Sequence, residues 1–253
     1  RLIDEILNRS SNRNLPFVGS AAFAHKGGLH ISAVQKDPKS YEHIDPKSIG
    51  NERTLVVSNQ SGKSIIINQL NKLKINYNKD NKKLSSFVDL IKKQEFLGYA
   101  YDVAEASFEL LARRYFSDLK EFYSLDSYKV SDERRKNSRG NFVTVSEARI
   151  KIFVRGKEFF CASEGEGPIH ALDNSLRQAL SHSYPIIKKL NLIDYKVRIL
   201  TPQDGTKALV RVRIESTNKK ITWSTIGVSN NVIDASFLAL HDSITYHLSK
   251  NKS

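Results

Sequence analysis

The feature that most limits what this chain can fold into is a repeat in its C-terminal half. Leu125-Asp126-Ser127-Tyr128-Lys129-Val130 returns as Leu192-Ile193-Asp194-Tyr195-Lys196-Val197, and each copy continues through the same series of patterns. An alternating strand comes next, Val143 to Val154 in the first copy and Ala208 to Glu215 in the second. A turn follows, Arg155-Gly156-Lys157 or Thr217-Asn218-Lys219, then a third strand, Glu158 to Ser163 or Ile221 to Ile226. A helix closes each copy. Ile169, Leu172, Leu176 and Leu180 share one face of the first, and Ile233, Phe237, Leu240, Ile244 and Leu248 one face of the second. The predicted unit is therefore βββα, twice. Asp132 to Asn141, a charged stretch that includes Ser138 and Gly140, reads as a loop inserted into copy one.

The two strand-to-helix corners carry small residues at the same place. They read Glu164-Gly165-Glu166-Gly167-Pro168 and Gly227-Val228-Ser229-Asn230-Asn231. Pro168 suits a first helical turn, and Ser229 or Asn230 suits an N-cap. Glycine lets a ligand approach the free N–H groups of a helix start, which favour a carboxylate, and Glu166 offers a partner for an ammonium. Such parts would hold a free amino acid. Ordinary capping explains either corner alone, but not the recurrence of small residues at both. The expected effector-binding residues are Gly165, Glu166, Gly167, Pro168, Ser229, Asn231 and Asp234.

A second informative stretch runs from Ala22 to Ser64. His25 and His30 flank Gly27-Gly28, Leu29 to Val34 predicts a short helix, and Tyr41-Glu42-His43-Ile44-Asp45-Pro46 gathers titratable groups in a turn. Glycine-permitted turns can aim such groups for acid/base chemistry, although an isolated histidine is more often packed or solvated. His25 and His30 are five positions apart, which is no same-face helical pairing, so a shared metal is not expected. Gly62-Lys63-Ser64 is no phosphate loop, because Val57 stands where that motif needs glycine.

Elsewhere, Leu2 to Leu7 predicts a helix end, Pro16 to Phe23 an extended entry, Leu55 to Ser58 a strand and Ser64 to Leu73 a helix. Residues 69–119 read as helical, with Phe87, Leu90, Ile91 and Leu97 as an apolar stripe, a break at Gly98-Tyr99, and an amphipathic helix from Ala104 to Phe116. Glu95, Asp102 and Glu105 are expected at the surface or at caps. The fold class expected is α+β, with small α/β and helical linker subdomains at 1–68 and 69–119 and the duplicated βββα domain at 120–253.

At 253 residues the chain can bury a core and form two or three domains. It starts at Arg1 and contains no methionine, so it is expected to be a piece of something longer. A single cysteine, Cys161 in an apolar run, rules out an internal disulfide and fits a reducing cytoplasm. No apolar run approaches membrane-spanning length. The net charge of +13 raises nucleic acid as a partner, but the lysines are scattered and no nucleic-acid module is present. Neither nucleic acid nor a membrane is therefore expected.

AFAHKGGLH, YEHIDPKSIGNERTLVVSNQSGKS and GYAYDVAEASFELLARR resemble the C-terminal half of the 2-isopropylmalate synthase and citramalate synthase family, and its citramalate synthase branch in particular. The likeness covers nearly the whole chain. It implies an acyltransferase whose metal-dependent barrel, N-terminal to Arg1, condenses acetyl-CoA with a 2-keto acid, here pyruvate, on the way to isoleucine. No cofactor is implied for this chain; the divalent metal belongs to the barrel. In the resemblance, residues 1–68 are a linker subdomain reaching into a partner subunit's barrel. His30 takes the place of the histidine that assists acetyl-CoA deprotonation, and Tyr41 that of its companion tyrosine. His43 is a supporting group. The βββα pair resembles an allosteric domain of a homodimer whose branched-chain effector is isoleucine, with leucine and 2-isopropylmalate synthase as the alternative. By itself the chain is expected not to catalyse. A non-enzymatic amino-acid sensor dimer and a basic nucleic-acid binder are rival readings from other classes.

Overall fold

The computed structural model describes residues 12, 14–19, 21–25, 28–55, 63–77, 81–116 and 119–251. The predicted helix at Leu2 to Leu7 and most of the strand at Leu55 to Ser58 lie outside them. The chain divides into two compact units, Arg1–Glu95 and Phe96–Ser253, where the sequence reading drew boundaries at 68 and 119.

In the first unit, strand β1 (Ala24–His25) pairs in parallel with β2 (Thr54–Leu55). Helix α1 (Gly28–Lys36) lies between them in sequence, α2 (Lys63–Lys72) follows, and α3 (Asn81–Phe96) ends the unit. Pro16 to Phe23 is not the extended entry expected from its sequence: its described residues form turns, with Gly19 N donating to Leu15 O and Phe17 at φ 64°. The helical reading of 69–119 also needs correction, since α2 stops at Lys72 and the chain turns through Lys74 at φ 53°. The buried stripe of α3 is Leu84, Phe87, Val88 and Ile91; Leu97 falls beyond the helix end and is exposed.

The second unit opens with a 3-10 turn at Tyr101–Val103 and helix α4 (Glu105–Phe116). Copy one is β3 (Ser124–Lys136), β4 (Phe142–Val154), β5 (Lys157–Gly165) and α5 (Pro168–Ser181); copy two is β6 (Asn191–Ile199), β7 (Val210–Thr217), β8 (Thr222–Ser229) and α6 (Val232–Lys250). Each copy makes an antiparallel sheet in sequential order, β3-β4-β5 and β6-β7-β8. The duplication extends to fine detail. The opening strand of each copy slips register at the same place, between Leu125 and Ser127 and between Leu192 and Asp194, so Asp126 and Ile193 are equivalent bulges. The fold is α+β, with α5 packed on the first sheet and α6 on the second.

Within the duplicated domain one element differs from the expectation. Asp132 to Lys136 is strand, not loop: it pairs with Ser146 to Phe142, and only Asn137–Asn141 turns, with Gly140 at φ 78°. β5 reaches only as far as the Ser146↔Gly165 pair, so the end of β3 and β4 continues past it as a two-stranded ribbon. Polar composition concealed the strand because both ribbon faces meet water.

The helix faces expected from the 3.6-residue spacing are the buried ones. Leu172, Leu176 and Leu180 of α5 are fully enclosed with Ile150, Ile152 and Leu248 in the main core, while Leu240 of α6 packs with Val212 and Ile214. Each such side chain contributes about 2 kcal/mol by leaving water. Gly165 and Gly227 let the helices close on the sheets, since a Cβ on either would collide with the backbone of Ala171 or Ala235.

Candidate functional site

In the first unit the site is built on a local repeat. Asp37-Pro38-Lys39-Ser40 and Asp45-Pro46-Lys47-Ser48 each form a 3-10 turn in which the aspartate side chain accepts from the lysine N–H (3.0 and 3.2 Å) and the serine hydroxyl donates back to the aspartate carbonyl (2.7 Å in both). Proline presets the first φ of each turn. Tyr41 to Ile44 is held between these two brackets.

Within that span Glu42 points inward. Its carboxylate accepts from His25 Nε2 at 2.9 Å, from Arg53 Nε at 2.7 Å and from Arg53 Nη2 at 2.5 Å, and its side chain is only 3% exposed. The Arg53 guanidinium, with His25, holds the Glu42 carboxyl below its usual range against the opposing effect of burial. Because His25 belongs to β1 and Arg53 precedes β2, this one side chain ties the strand pair to the turn. Tyr41, next in sequence, points outward: its ring stacks on His30 of α1, with centroids 4.3 Å apart and planes 29° apart. Both side chains are exposed. His43 stands edge-on to Phe17 at 5.7 Å, apart from that pair. A cleft of ≈ 420 Å³ lies beside His43, lined also by Glu42, Asp45 and Arg53; neither His30 nor Tyr41 lines it. The pair can present an imidazole and a phenol side by side to a molecule in solution.

In the second unit the two corners are not equivalent. At the first, Gly167 is the N-cap of α5 and supplies no side-chain bond, and Pro168 fills the first helical position. Glu166 N donates to His170 Nδ1 (3.1 Å), and Asn174 Nδ2 donates to Glu164 O (3.1 Å). At the second corner Asn231 caps α6, accepting from Ile233 N at 2.8 Å, while Ser229 Oγ accepts from Asn231 N at 3.1 Å. Asp234 accepts from the Tyr128 hydroxyl of β3, which with burial pushes that phenol's pKa up.

Residues that sequence reasoning missed lie beside the first corner. A cavity of ≈ 500 Å³ is lined by Ile169, His170, Asp173, Arg177, Leu192 and Tyr195, among others. Arg177 Nε donates to Asp173 Oδ2 at 2.8 Å and its Nη1 to Leu190 O at 2.6 Å, which leaves Asp173 Oδ1 buried without a partner. Aligning Ala171 with Ala235 and Leu176 with Leu240 shows why the space exists. Tyr128 of copy one packs on Phe237 of α6, ring on ring at 5.2 Å. Its counterpart Tyr195 lines the cavity together with Asp173 of α5, which stands in the place of Phe237, while its hydroxyl is bonded to Ser236 of α6. That exchange of an aromatic for an acid at matched positions is the signal the sequence offered.

Among the described residues no three His, Cys, Asp or Glu side chains come together as a metal site, and no helix is long and apolar enough to cross a membrane. Cys161 is half-buried and free, and burial raises its pKa.

The second unit is thus a doubled βββα domain with one closed and one open junction between copies, preceded by a smaller unit that exposes a histidine–tyrosine pair. Residues 102–248 match the LeuA allosteric (dimerisation) domain, and residues 17–95 match the homocitrate synthase post-HMGL domain-like family. The chain belongs to the LeuA allosteric (dimerisation) domain family. It is similar to proteins named (R)-citramalate synthase: that of Aquifex aeolicus is 47% identical over 250 residues, covering 99% of this chain and 47% of the relative. The one from Geobacter sulfurreducens is 42% identical over 252 residues (100% and 47%), and that of Synechocystis 41% over 248 (98% and 45%). The chain therefore spans about half the length of these curated relatives.

Proposed function

We propose that this chain is the linker and regulatory part of an (R)-citramalate synthase, a cytoplasmic homodimer that condenses acetyl-CoA with pyruvate and is inhibited by isoleucine. The observation that supports this most is the agreement with proteins of that name across nearly the whole chain. The catalytic barrel and its divalent metal are assigned to the part of the protein outside this chain. Residues 1–68 are the arm that enters the barrel, 69–119 join it to the sensor, and 120–253 are the sensor and dimer contact.

In the reaction a proton leaves the methyl group of acetyl-CoA, the resulting enolate carbon attacks the pyruvate carbonyl, and water cleaves the thioester to free CoA. His30 is the group that assists the proton's departure, since an imidazole accepts protons near neutral pH. Tyr41 donates a hydrogen bond to the developing enolate oxygen. The stack of the two rings, backed by the buried Glu42, holds both in one orientation before substrate arrives.

The effector lies at the first corner. Its carboxylate meets the start of α5 beyond Gly165–Pro168, where no side chain caps the helix. Its ammonium meets Glu166 and the unpaired Oδ1 of Asp173, and its branched side chain packs on Ile169, Leu192 and Tyr195. Ser229, Asn231 and Asp234, at the second corner, are the remaining effector-binding residues of this reading, with Asn231 Oδ1 and Asp234 Oδ1 each already accepting one bond within the fold. Release of free thiol by the whole protein tests the reading. Turnover with acetyl-CoA and pyruvate, inhibited by isoleucine, supports it; turnover only with 3-methyl-2-oxobutanoate and inhibition by leucine would make it a 2-isopropylmalate synthase. Absence of turnover alongside amino-acid binding would leave the sensor reading.

A further inference from the structure

Strand β8 is the outer edge of its sheet, yet Trp223 to Gly227 are all buried. An edge strand presents a row of outward N–H groups that must be covered or solvated. Here the row is met by side chains from one short segment. Ser224 N donates to Glu105 Oε1 at 2.9 Å and Ile226 N to Ser107 Oγ at 3.0 Å. The Tyr99 hydroxyl is hydrogen-bonded to the Val228 backbone. Three alternate residues of β8 are thus engaged by 105, 107 and 99.

The same segment grips the rest of copy two. Gly98 O accepts from Arg211 Nε of β7 at 2.5 Å. Gly98 sits at φ 105°, and a Cβ there would collide with Leu200 and crowd Val228 and Leu209. Ser107 Oγ donates onward to Asp242 Oδ2 of α6 at 2.8 Å, and Arg114 pairs with Asp242 at 2.8 Å. Among the described residues, copy one shows no equivalent grip. Its edge strand β5 alternates between exposed and half-buried, and Glu166 N and Glu164 O are met by His170 and Asn174 of its own helix.

The asymmetry has a direction. The cavity beside α5 is walled by Leu192 and Tyr195 of β6, at one edge of the second sheet; residues 98–107 grip β8, at the other. Tyr195 is also bonded to Ser236 of α6 at 2.7 Å. A three-stranded sheet tied by backbone bonds moves as a plate, so a shift at β6 reaches β8 and the side chains fastened to it. We propose that residues 98–107 are the coupling segment through which occupancy of the effector cavity is passed to the chain before Phe96, with Tyr99 and Ser107 as its positioning residues. This rests on the effector reading above.

The test compares the unaltered protein with Tyr99→Phe, Ser107→Ala, the pair together, and Glu105→Gln, which keeps an acceptor oxygen. Isoleucine binding is measured by calorimetry on this chain, and inhibition of thiol release on the full-length protein. The double variant is expected to bind isoleucine within about threefold of the unaltered chain, while the concentration giving half-inhibition rises at least tenfold. Glu105→Gln is expected to stay close to the unaltered protein in both, and Tyr99→Phe alone to show a smaller loss of inhibition. Binding with inhibition undiminished in the double variant overturns the coupling role and leaves the effector reading standing. Loss of binding in step with inhibition also overturns it, since the segment would then only support the fold. An unaltered chain that binds no branched-chain amino acid sinks both.

Discussion

The indole of Trp223 and the imidazole of His247 lie parallel, 7° apart in plane with centroids 5.6 Å apart, in the core where α6 crosses β8. His247 Nε2 bonds the Ile186 carbonyl at 3.1 Å, fastening the 3-10 turn at Pro185–Lys189 to the helix. Burial holds the His247 pKa below the ordinary histidine value, and the same is true of His241, bonded to Tyr123. A depressed histidine contributes stability that is complete above its unfolded pKa and is lost as pH falls through the folded one. The midpoint of denaturant unfolding of the second unit, followed by Trp223 fluorescence, should therefore drop between pH 7.5 and pH 5. His247→Phe should reduce that slope; an unchanged slope in that variant would place the pH dependence elsewhere.

Gly227→Ala should cost about 3 kcal/mol or more, because the added methyl meets the Ala235 carbonyl rather than a side chain that can swing away. Leu176→Ala, a cavity instead of a collision, should cost about 2–5 kcal/mol. Urea midpoints measure both, and the glycine variant should also lower the ordering of α6 seen by amide exchange.

Glu42→Ala should destabilise the first unit by about 2 kcal/mol by leaving Arg53 and His25 without their shared acceptor. Since the folded-state pKa of Glu42 lies below the ordinary value, its contribution is complete above that value and fades as pH falls through the lower one. Amide exchange of β1 and β2 at pH 7 and pH 3.5 reads the effect. The gap between the variant and the unaltered chain should narrow at the acid end.

Asp173→Leu should fill the cavity beside Tyr195 as Phe237 fills its counterpart beside Tyr128. Isoleucine binding by calorimetry should fall at least tenfold while thermal stability holds or rises. Binding unaffected by that change would move the effector away from the first corner.

The duplicated domain was legible because Leu125 to Val130 and Leu192 to Val197 repeat nearly residue for residue, and because apolar spacing on α5 and α6 matches the faces they bury. The ribbon at Asp132–Lys136 was not, since a strand with solvent on both faces carries no alternation to detect. His30 and Tyr41 could be singled out by type and neighbourhood, but their stacking depends on the paired Asp-Pro-Lys-Ser turns and on an inward Glu42, which only coordinates reveal. The grip of Glu105 and Ser107 on β8 spans 119 residues in each case. No local pattern encodes it, and Glu105 looked like a plain helix-start acid.

We propose above all that this chain lends an imidazole and a phenol to a condensation carried out elsewhere in the protein. The direct measurement is kcat for thiol release from acetyl-CoA and pyruvate by the full-length protein carrying His30→Gln, with isoleucine affinity followed alongside. A fall in kcat of about a hundredfold or more, with isoleucine affinity unchanged, is the predicted result. Turnover at the unaltered rate would contradict it.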